Sequence, residues 1–166
     1  MSLTIRAETP GDVWTIEAVT AAAFLNAPHT GRTEQHIVDA LRKSGALAVS
    51  LVAEADGILV GHIAASPVSI ADGTAGWFGM GPVSVLPQHQ RRGIGSQLVR
   101  EALRLLRTRG ANGCVVLGEP EYYGRFGFHA DPNVVLPGVP PRYFQGIPFG
   151  SSRPRGVVTY HEAFSR

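Results

Sequence analysis

Apolar positions along these 166 residues alternate with period two in some stretches and recur at helical spacing in others. LTIRAE, near the N-terminus, reads as a first strand. Thr9-Pro10-Gly11-Asp12 then makes a helix start, with Thr9 at N-cap, Pro10 at N1 and Asp12 at N3. The helix that follows carries Val13, Ile16, Val19, Ala23 and Phe24 on roughly one face. After a loop with Pro28 and Gly31, TEQHIVDALRKSG repeats Ile37, Val38 and Leu41 at helical spacing, and Gly45 closes it. ALAVSLVAEADGILVGHIAASPVSI predicts a hairpin, two apolar runs flanking the turn dipeptide Asp56-Gly57. ADGTAG is a further turn. WFGMGPVSVLP is the next strand, with a bulge or bend expected where Gly79, Gly81 and Pro82 interrupt it.

A second helix-rich half follows. Ile94, Leu98, Ala102, Leu105 and Leu106 form an apolar stripe at i, i+4, i+8, i+11 and i+12, with Arg100, Arg104 and Arg107 off it. Gly110 ends that helix, CVVLGEP reads as a buried strand, and EYYGRFGF as a short helical turn leading to another strand. The stretch from Pro132 to Pro154 is rich in Pro and Gly, and GVVTYHEAF closes the chain as a strand. The order β-α-α-β-β-β-α-β-α-β-β joins a hairpin-built half to one strand–helix–strand crossover. The fold class is therefore α+β, or mixed α/β, in a single domain over residues 1–166.

Composition narrows the function classes. No apolar run is long enough to span a bilayer, and MSLTIRAETPGD lacks the layout of a signal peptide, so a cytoplasmic protein with no membrane partner is expected. Cys114, the single cysteine, lies in an apolar run and reads as a buried small hydrophobe. His29, His36, His62, His89, His129 and His161 show no paired ligand spacing, so no metal is expected. A net charge of +2 is too small to imply nucleic acid. Lys43 is the only lysine; every other basic residue is arginine, the better fork for anions.

The chemistry concentrates in QHQRRGIGSQL, residues 88–98, where glycines, arginines and a helix start coincide. A helix N-terminus offers unpaired N–H groups and the positive end of the helix dipole. Gly93 and Gly95 let an anion approach that backbone, while Gln90, Arg91 and Arg92 add side-chain donors. A pyrophosphate matches. A nucleoside-triphosphate loop would need a Gly-Lys-Ser/Thr ending, which is absent. A dinucleotide-binding turn would place a third glycine where Leu98 stands, and only one strand–helix–strand unit is evident, although Glu119 does end the next strand.

A third ligand class is coenzyme A, and here the chain resembles a family. Gln90-Arg91-Arg92-Gly93-Ile94-Gly95 fits Q/R-x-x-G-x-G/A, the acyl-CoA signature of the GNAT superfamily of N-acetyltransferases. PVSVLP resembles the family's fourth strand, and Tyr123-Gly124-Arg125-Phe126-Gly127-Phe128 its second landmark, Tyr-x-x-x-Gly-Phe. The element order matches over essentially the whole chain. The resemblance implies a central mixed, mostly antiparallel sheet of six to seven strands, flanked by helices and splayed between its fourth and fifth strands.

It also implies acetyl-CoA as cosubstrate, bound by Val83, Ser84 and Val85 of the strand and by Gln90, Arg91, Arg92, Gly93, Ile94, Gly95 and Ser96 of the turn. The implied reaction is attack of a primary amine on the thioester, on a small molecule or a peptide, in a ternary complex. A backbone N–H near Val85 would stabilise the oxyanion, and Tyr123 would serve the leaving thiolate. A free phenol titrates near ~10 and a thiol near ~8.5, so full transfer is uphill by roughly 2 kcal/mol. Glu119 is the candidate base and reads equally as a solvated loop carboxylate; Glu121, His62 and His129 are weaker candidates. Of Tyr122 and Tyr123, adjacent on a helical turn, only one is expected to face the site. The acceptor would be set by the N-terminal helices, the loop Asn26–Arg32 and the aromatic segment PGVPPRYFQGIPFG, whose Tyr143 and Phe144 could equally pack the core. Dimers are frequent in the superfamily, so a homodimer belongs to the expectation. The alternatives that stay open are a non-catalytic acyl-CoA-binding regulatory domain and, further off, a dinucleotide-binding module.

Overall fold

In the computed structural model, residues 2–27 and 32–165 are described. β1 (Leu3–Ala7) is followed by a 3-10 turn at Pro10–Asp12 that runs into α1 (Val13–Phe24). The carboxylate of Asp12 accepts the Thr9 backbone N–H at 2.7 Å and pairs with Arg6 at 2.7 Å, so the helix start is tied back to β1. α2 (Glu34–Lys43) ends at Gly45, whose φ of +77° lets its N–H reach the Arg42 carbonyl at 3.2 Å. β2 (Val49–Ala55) and β3 (Ile58–Pro67) form the expected hairpin, with Asp56 and Gly57 both left-handed.

Beyond a two-residue strand, β4 (Ser69–Ile70), the long β5 (Trp77–Val85) pairs antiparallel with β3. The interruption expected at Gly79–Pro82 is a bulge: Ile63 faces Val83 but Ala65 faces Met80, so Gly81 and Pro82 together oppose Ala64. α3 (Ile94–Thr108) buries Ile94, Leu98, Val99, Ala102, Leu103 and Leu106 against the sheet, while Leu105 of the predicted stripe is only half-buried. Gly61 on β3 admits this helix, since a Cβ there would lie 3.2 Å from Leu98. Then come β6 (Gly113–Leu117), α4 (Pro120–Gly124), β7 (His129–Ala130), β8 (Val134–Val135), β9 (Phe144–Pro148) and β10 (Gly156–Thr159).

The main sheet has seven strands in the order β1-β2-β3-β5-β6-β9-β7, and β5–β6 is its one parallel pair. That pair is short. Trp77, Phe78 and Gly79 face Gly113, Cys114 and Val115, and from Met80 onward the two strands part. The splay therefore lies between the fourth and fifth long strands, as the resemblance implies.

Two expectations need correction. β9, inside the Pro- and Gly-rich stretch where no strand is expected, is a buried interior strand between β6 and β7. GVVTYHEAF, expected as one closing strand, is strand only over β10 and ends in a 3-10 turn at Glu162–Ser165; β10 joins β4 and β8 in a separate three-stranded sheet. Trp77, Val115 and Phe144 pack into the core shared with that sheet.

Under α1 and α2 the sheet carries a half-buried polar network. Arg42 of α2 donates to Glu8 at 2.8 and 2.9 Å, the Ser50 hydroxyl also donates to Glu8, and His62 Nε2 lies 2.8 Å from Ser50 Oγ. With the serine proton on Glu8, Nε2–H of His62 is the donor to Ser50. Burial pushes the Glu8 carboxyl up, but the hydrogen bonds from Arg42 and Ser50 outweigh it and leave it below the ordinary value. His62, fully buried, is pushed down to about 4 by desolvation.

A base whose folded pKa is depressed contributes stability above its unfolded pKa and loses it as pH falls toward the folded value. Stability is expected to fall by about 3 kcal/mol between pH 6.5 and 4 on account of His62, with Glu8 adding loss in the same direction. Urea denaturation at pH 7 and pH 4.5 checks this, and His62→Gln should flatten the difference.

Candidate functional site

The parting of β5 from β6 leaves one edge of β5 without a strand partner, and alternation decides which groups face it. Leu86 N–H bonds the Val60 carbonyl of β3 at 2.9 Å. Ser84, two residues earlier, therefore also directs its N–H toward β3, and the N–H and C=O of Val83 and Val85 face the open side. Gln90 confirms the direction, since its amide nitrogen donates to the Val85 carbonyl from that side at 3.0 Å.

The turn after β5 leads straight to a helix start. Arg91 and Gly93 both hold left-handed backbone, φ +64° and +81°. For Arg91 that conformation carries a cost of roughly 1–2 kcal/mol, and Gly93 adopts it freely. Gln97 is the first residue of α3 whose N–H finds an intrahelical acceptor, Gly93 O at 3.1 Å. The N–H groups of Ile94, Gly95 and Ser96 are left for another partner. A Cβ on Gly95 would lie 3.2 Å from the Tyr122 hydroxyl, so glycine keeps this floor clear.

A cavity of about 470 Å³ joins the two features. Val83, Val85, Gln90, Arg91, Gly93, Ile94, Gly95, Ser96 and Tyr123, all expected from the sequence, line it. Three expected residues do not. Ser84 turns to the other face, its hydroxyl buried without a partner among the described residues. Arg92 is exposed outside the cavity, and Glu119, exposed at the N-terminus of α4, lends only its carbonyl to Tyr123 N–H at 3.0 Å.

His89, Tyr122 and Arg125 line the cavity without having been expected. Both tyrosines enter it, contrary to expectation, because they meet edge to face, with ring centroids 4.9 Å apart and planes at 89°. Tyr122 reaches toward Ser96, hydroxyl to hydroxyl 3.3 Å, whereas Tyr123 seats against β6. Arg125 stacks over the Tyr122 ring at 4.4 Å and donates to Ser96 Oγ at 3.2 Å, which brings a fixed cation to the N-terminus of α3. Its signal was present in YGRFGF, where arginine stands between two aromatic residues.

Tyr123 lines the cavity beside the end of β6. Its ring is held by Phe126 and Phe128 and by Gly118, where a Cβ would lie 2.3 Å away. Burial, with smaller contributions from Tyr122 and Cys114, pushes its phenol up to about 12. Among the described residues its hydroxyl has no hydrogen-bond partner. The weaker base candidates stand apart: His62 is buried beneath α1, and Glu121 and His129 are exposed.

A second cavity, of about 410 Å³, shares strand β5 with the first but none of its lining. Met80, Gly81 and Pro82 of the bulge and Leu117 at the end of β6 form one wall, with Phe24, Glu34, Ile37, Leu136, Tyr160 and Phe164 around them. The N-terminal helices thus reach it, while no residue of PGVPPRYFQGIPFG does; Phe144 is core. Of the loop Asn26–Arg32, residues 28–31 lie outside the described residues.

Comparison with known proteins agrees with this geometry. Residues 46–130 match the family model for the acetyltransferase (GNAT) domain. The chain is 35% identical over 170 residues to YhbS of Escherichia coli, an uncharacterized N-acetyltransferase, with 98% of each chain covered. The chain belongs to the GNAT family. It is an N-acetyltransferase of that family, with acetyl-CoA as cosubstrate.

Two solved structures show how far the likeness extends. A GNAT family acetyltransferase from Brucella melitensis, crystallised with acetyl-CoA, is 50% identical with a TM-score of 0.88, covering 98% of each chain. The crystal structure of E. coli YhbS with CoA is 33% identical with a TM-score of 0.89, over 99% of this chain and 92% of that one. Among the described residues, no helix is long and apolar enough to cross a membrane, and no group of three or more His, Cys, Asp or Glu is placed to hold a metal ion.

The seat of Tyr123 gives a direct test. Gly118 is pinned by Tyr143 O and by Gln145, so neither backbone nor ring can yield to a methyl group. Gly118→Ala should destabilise the fold by about 1–3 kcal/mol. Gly124→Ala, with open space at its Cβ in α4, should be neutral or stabilise by up to ~1 kcal/mol. Urea unfolding of the two variants checks the contrast.

Proposed function

We propose that this GNAT protein transfers the acetyl group of acetyl-CoA to a primary amine by direct attack, both substrates being bound together. The observation that carries the reading is the parting of β5 from β6 beside the free N-terminus of α3, with Tyr123 at the junction. Bound acetyl-CoA supplies an activated acetyl thioester. The chain's own residues divide the remaining tasks.

The N–H groups of Ile94, Gly95 and Ser96, with Arg91 and Arg125, hold the pyrophosphate. The open edge of β5 takes the amides of the pantetheine arm as it would take another strand. Gln90 occupies the Val85 carbonyl, so the groups left for the arm are Val83 N–H, Val83 C=O and Val85 N–H. Of these, Val83 N–H, the donor nearest the point where the strands part, is the one assigned to negative charge developing on the thioester oxygen.

Tyr123 serves the leaving sulfur. With its phenol near 12, handing a full proton to a thiolate of pKa ~8.5 is uphill by roughly 5 kcal/mol. Tyr123 therefore stabilises the thiolate by donating a hydrogen bond, and solvent completes the protonation. Glu119, exposed and outside both cavities, reaches the acceptor only through water. For an amine of pKa about 10.4, neutral once in a few thousand molecules at pH 7, that water relays the ammonium proton to the Glu119 carboxylate. A cytoplasmic setting and a homodimer complete the proposal; both rest on the general character of the chain and its family.

Tyr123→Phe is expected to lower kcat about 10²-fold while the Kd for acetyl-CoA, measured by calorimetry, changes less than twofold. The phenol stays protonated below its raised pKa, so the wild-type kcat profile should show no falling limb from tyrosine below about pH 11. Unchanged turnover in Tyr123→Phe would remove Tyr123 from the mechanism.

A further inference from the structure

We infer that the acceptor is a primary amine carried on an apolar body, seated in the second cavity with its nitrogen held at Tyr160. This rests on the acetyl-transfer reading above and assigns that reaction its substrate class.

The cavity's lining sets the class. Phe24, Ile37, Leu117, Leu136 and Phe164 supply apolar walls, and Glu34 is the one charged side chain among the lining residues. Among the described residues, no lysine, arginine or histidine lines it. An acceptor bearing a carboxylate or phosphate would bring a charge into an apolar site with nothing to pair it. A polyamine would bring a second ammonium among the same apolar walls, where Glu34 is the one carboxylate to meet it. A monoamine with an alkyl or aryl body meets both constraints. At about 410 Å³ the space is that of a small-molecule site.

Tyr160 fixes where the nitrogen goes. Its ring packs on Gly79, where a Cβ would lie 2.5 Å away, and meets Phe164 edge-on at 5.1 Å. Gly79 is also in the last β5–β6 pair, so Tyr160 stands where the two strands begin to part. Its hydroxyl is buried and has no hydrogen-bond partner among the described residues. Such a group is costly to leave unmade, and a ligand N–H is the partner an apolar cavity lacks. Burial, with Cys114 and Tyr123 nearby, holds this phenol well above its ordinary range, so it takes part as a neutral hydroxyl and not as a base. By accepting an amine hydrogen, Tyr160 leaves the nitrogen lone pair free to turn toward the thioester. It is a positioning residue for the acceptor.

The test is a homologous series, n-propylamine to n-hexylamine, together with 2-phenylethylamine, putrescine and glycine, followed by thiol release at saturating acetyl-CoA. Equal ionisation along the alkyl series isolates the apolar body. kcat/KM is expected to rise about fourfold per methylene until the cavity is filled, with putrescine and glycine at least tenfold below hexylamine. Tyr160→Phe, which keeps the ring, should lower kcat/KM for every apolar amine at least tenfold and leave the KM for acetyl-CoA unchanged. Leu117→Asn, at a half-exposed position, should flatten the series. A flat wild-type series, preference for putrescine or glycine, or an unaffected Tyr160→Phe overturns the inference. Binding of acetyl-CoA without turnover of any apolar amine overturns it alone, whereas failure to bind acetyl-CoA overturns the reading beneath it.

Discussion

Two neighbouring strands that pair for three residues and then part leave backbone groups that must find partners elsewhere. β5 and β6 are paired from Trp77 to Gly79, and past that point the N–H and C=O groups of Val83 and Val85 have no strand beside them. Backbone amides in a half-buried cleft are strongly biased toward any extended chain that can complete the ladder. Much of the surrounding structure keeps that cleft open. The Gly81–Pro82 bulge redirects β5, Gly95 keeps the helix terminus clear, and Gly118 makes room for the Tyr123 ring at the mouth.

The electrostatics follow the same division. On the donor side the charge is fixed and positive: helix N–H groups, Arg91, and an Arg125 held against Tyr122 and Ser96. On the acceptor side the lining is apolar, with one carboxylate and one phenol. In the proposed reaction a polyanionic cosubstrate and an uncharged nucleophile are thus sorted before they meet. Both phenols near the junction, Tyr123 and Tyr160, are held protonated by burial, which suits donors and positioning groups and excludes them as bases.

The elements whose cues are local could be read from the chain. Asp56-Gly57 specifies its hairpin turn, Thr9 to Asp12 its helix start, and the stripe from Ile94 to Leu106 its buried face. The turn Gln90–Gly95 is equally local, because its chemistry is a helix N-terminus and two glycines. What escaped depends on packing between distant segments. FQGIP has no alternation to mark β9, since it is covered on both faces between β6 and β7. Tyr160 looked like part of a closing strand, and only its contact with Gly79, 81 positions earlier, brings it to the parted strands. Arg92 and Glu119 neighbour the site in sequence, and a residue's neighbour on a turn or cap can point away, as both do.

The central claim is that the open edge of β5 is completed by the cosubstrate. Amide hydrogen exchange resolved by residue, with and without saturating acetyl-CoA, tests it most directly. Slowed exchange at Val83, Val85 and the first turn of α3, with Ser84 unchanged because its N–H already faces β3, is the expected result. Protection absent from Val83 and Val85 while acetyl-CoA is bound would contradict it.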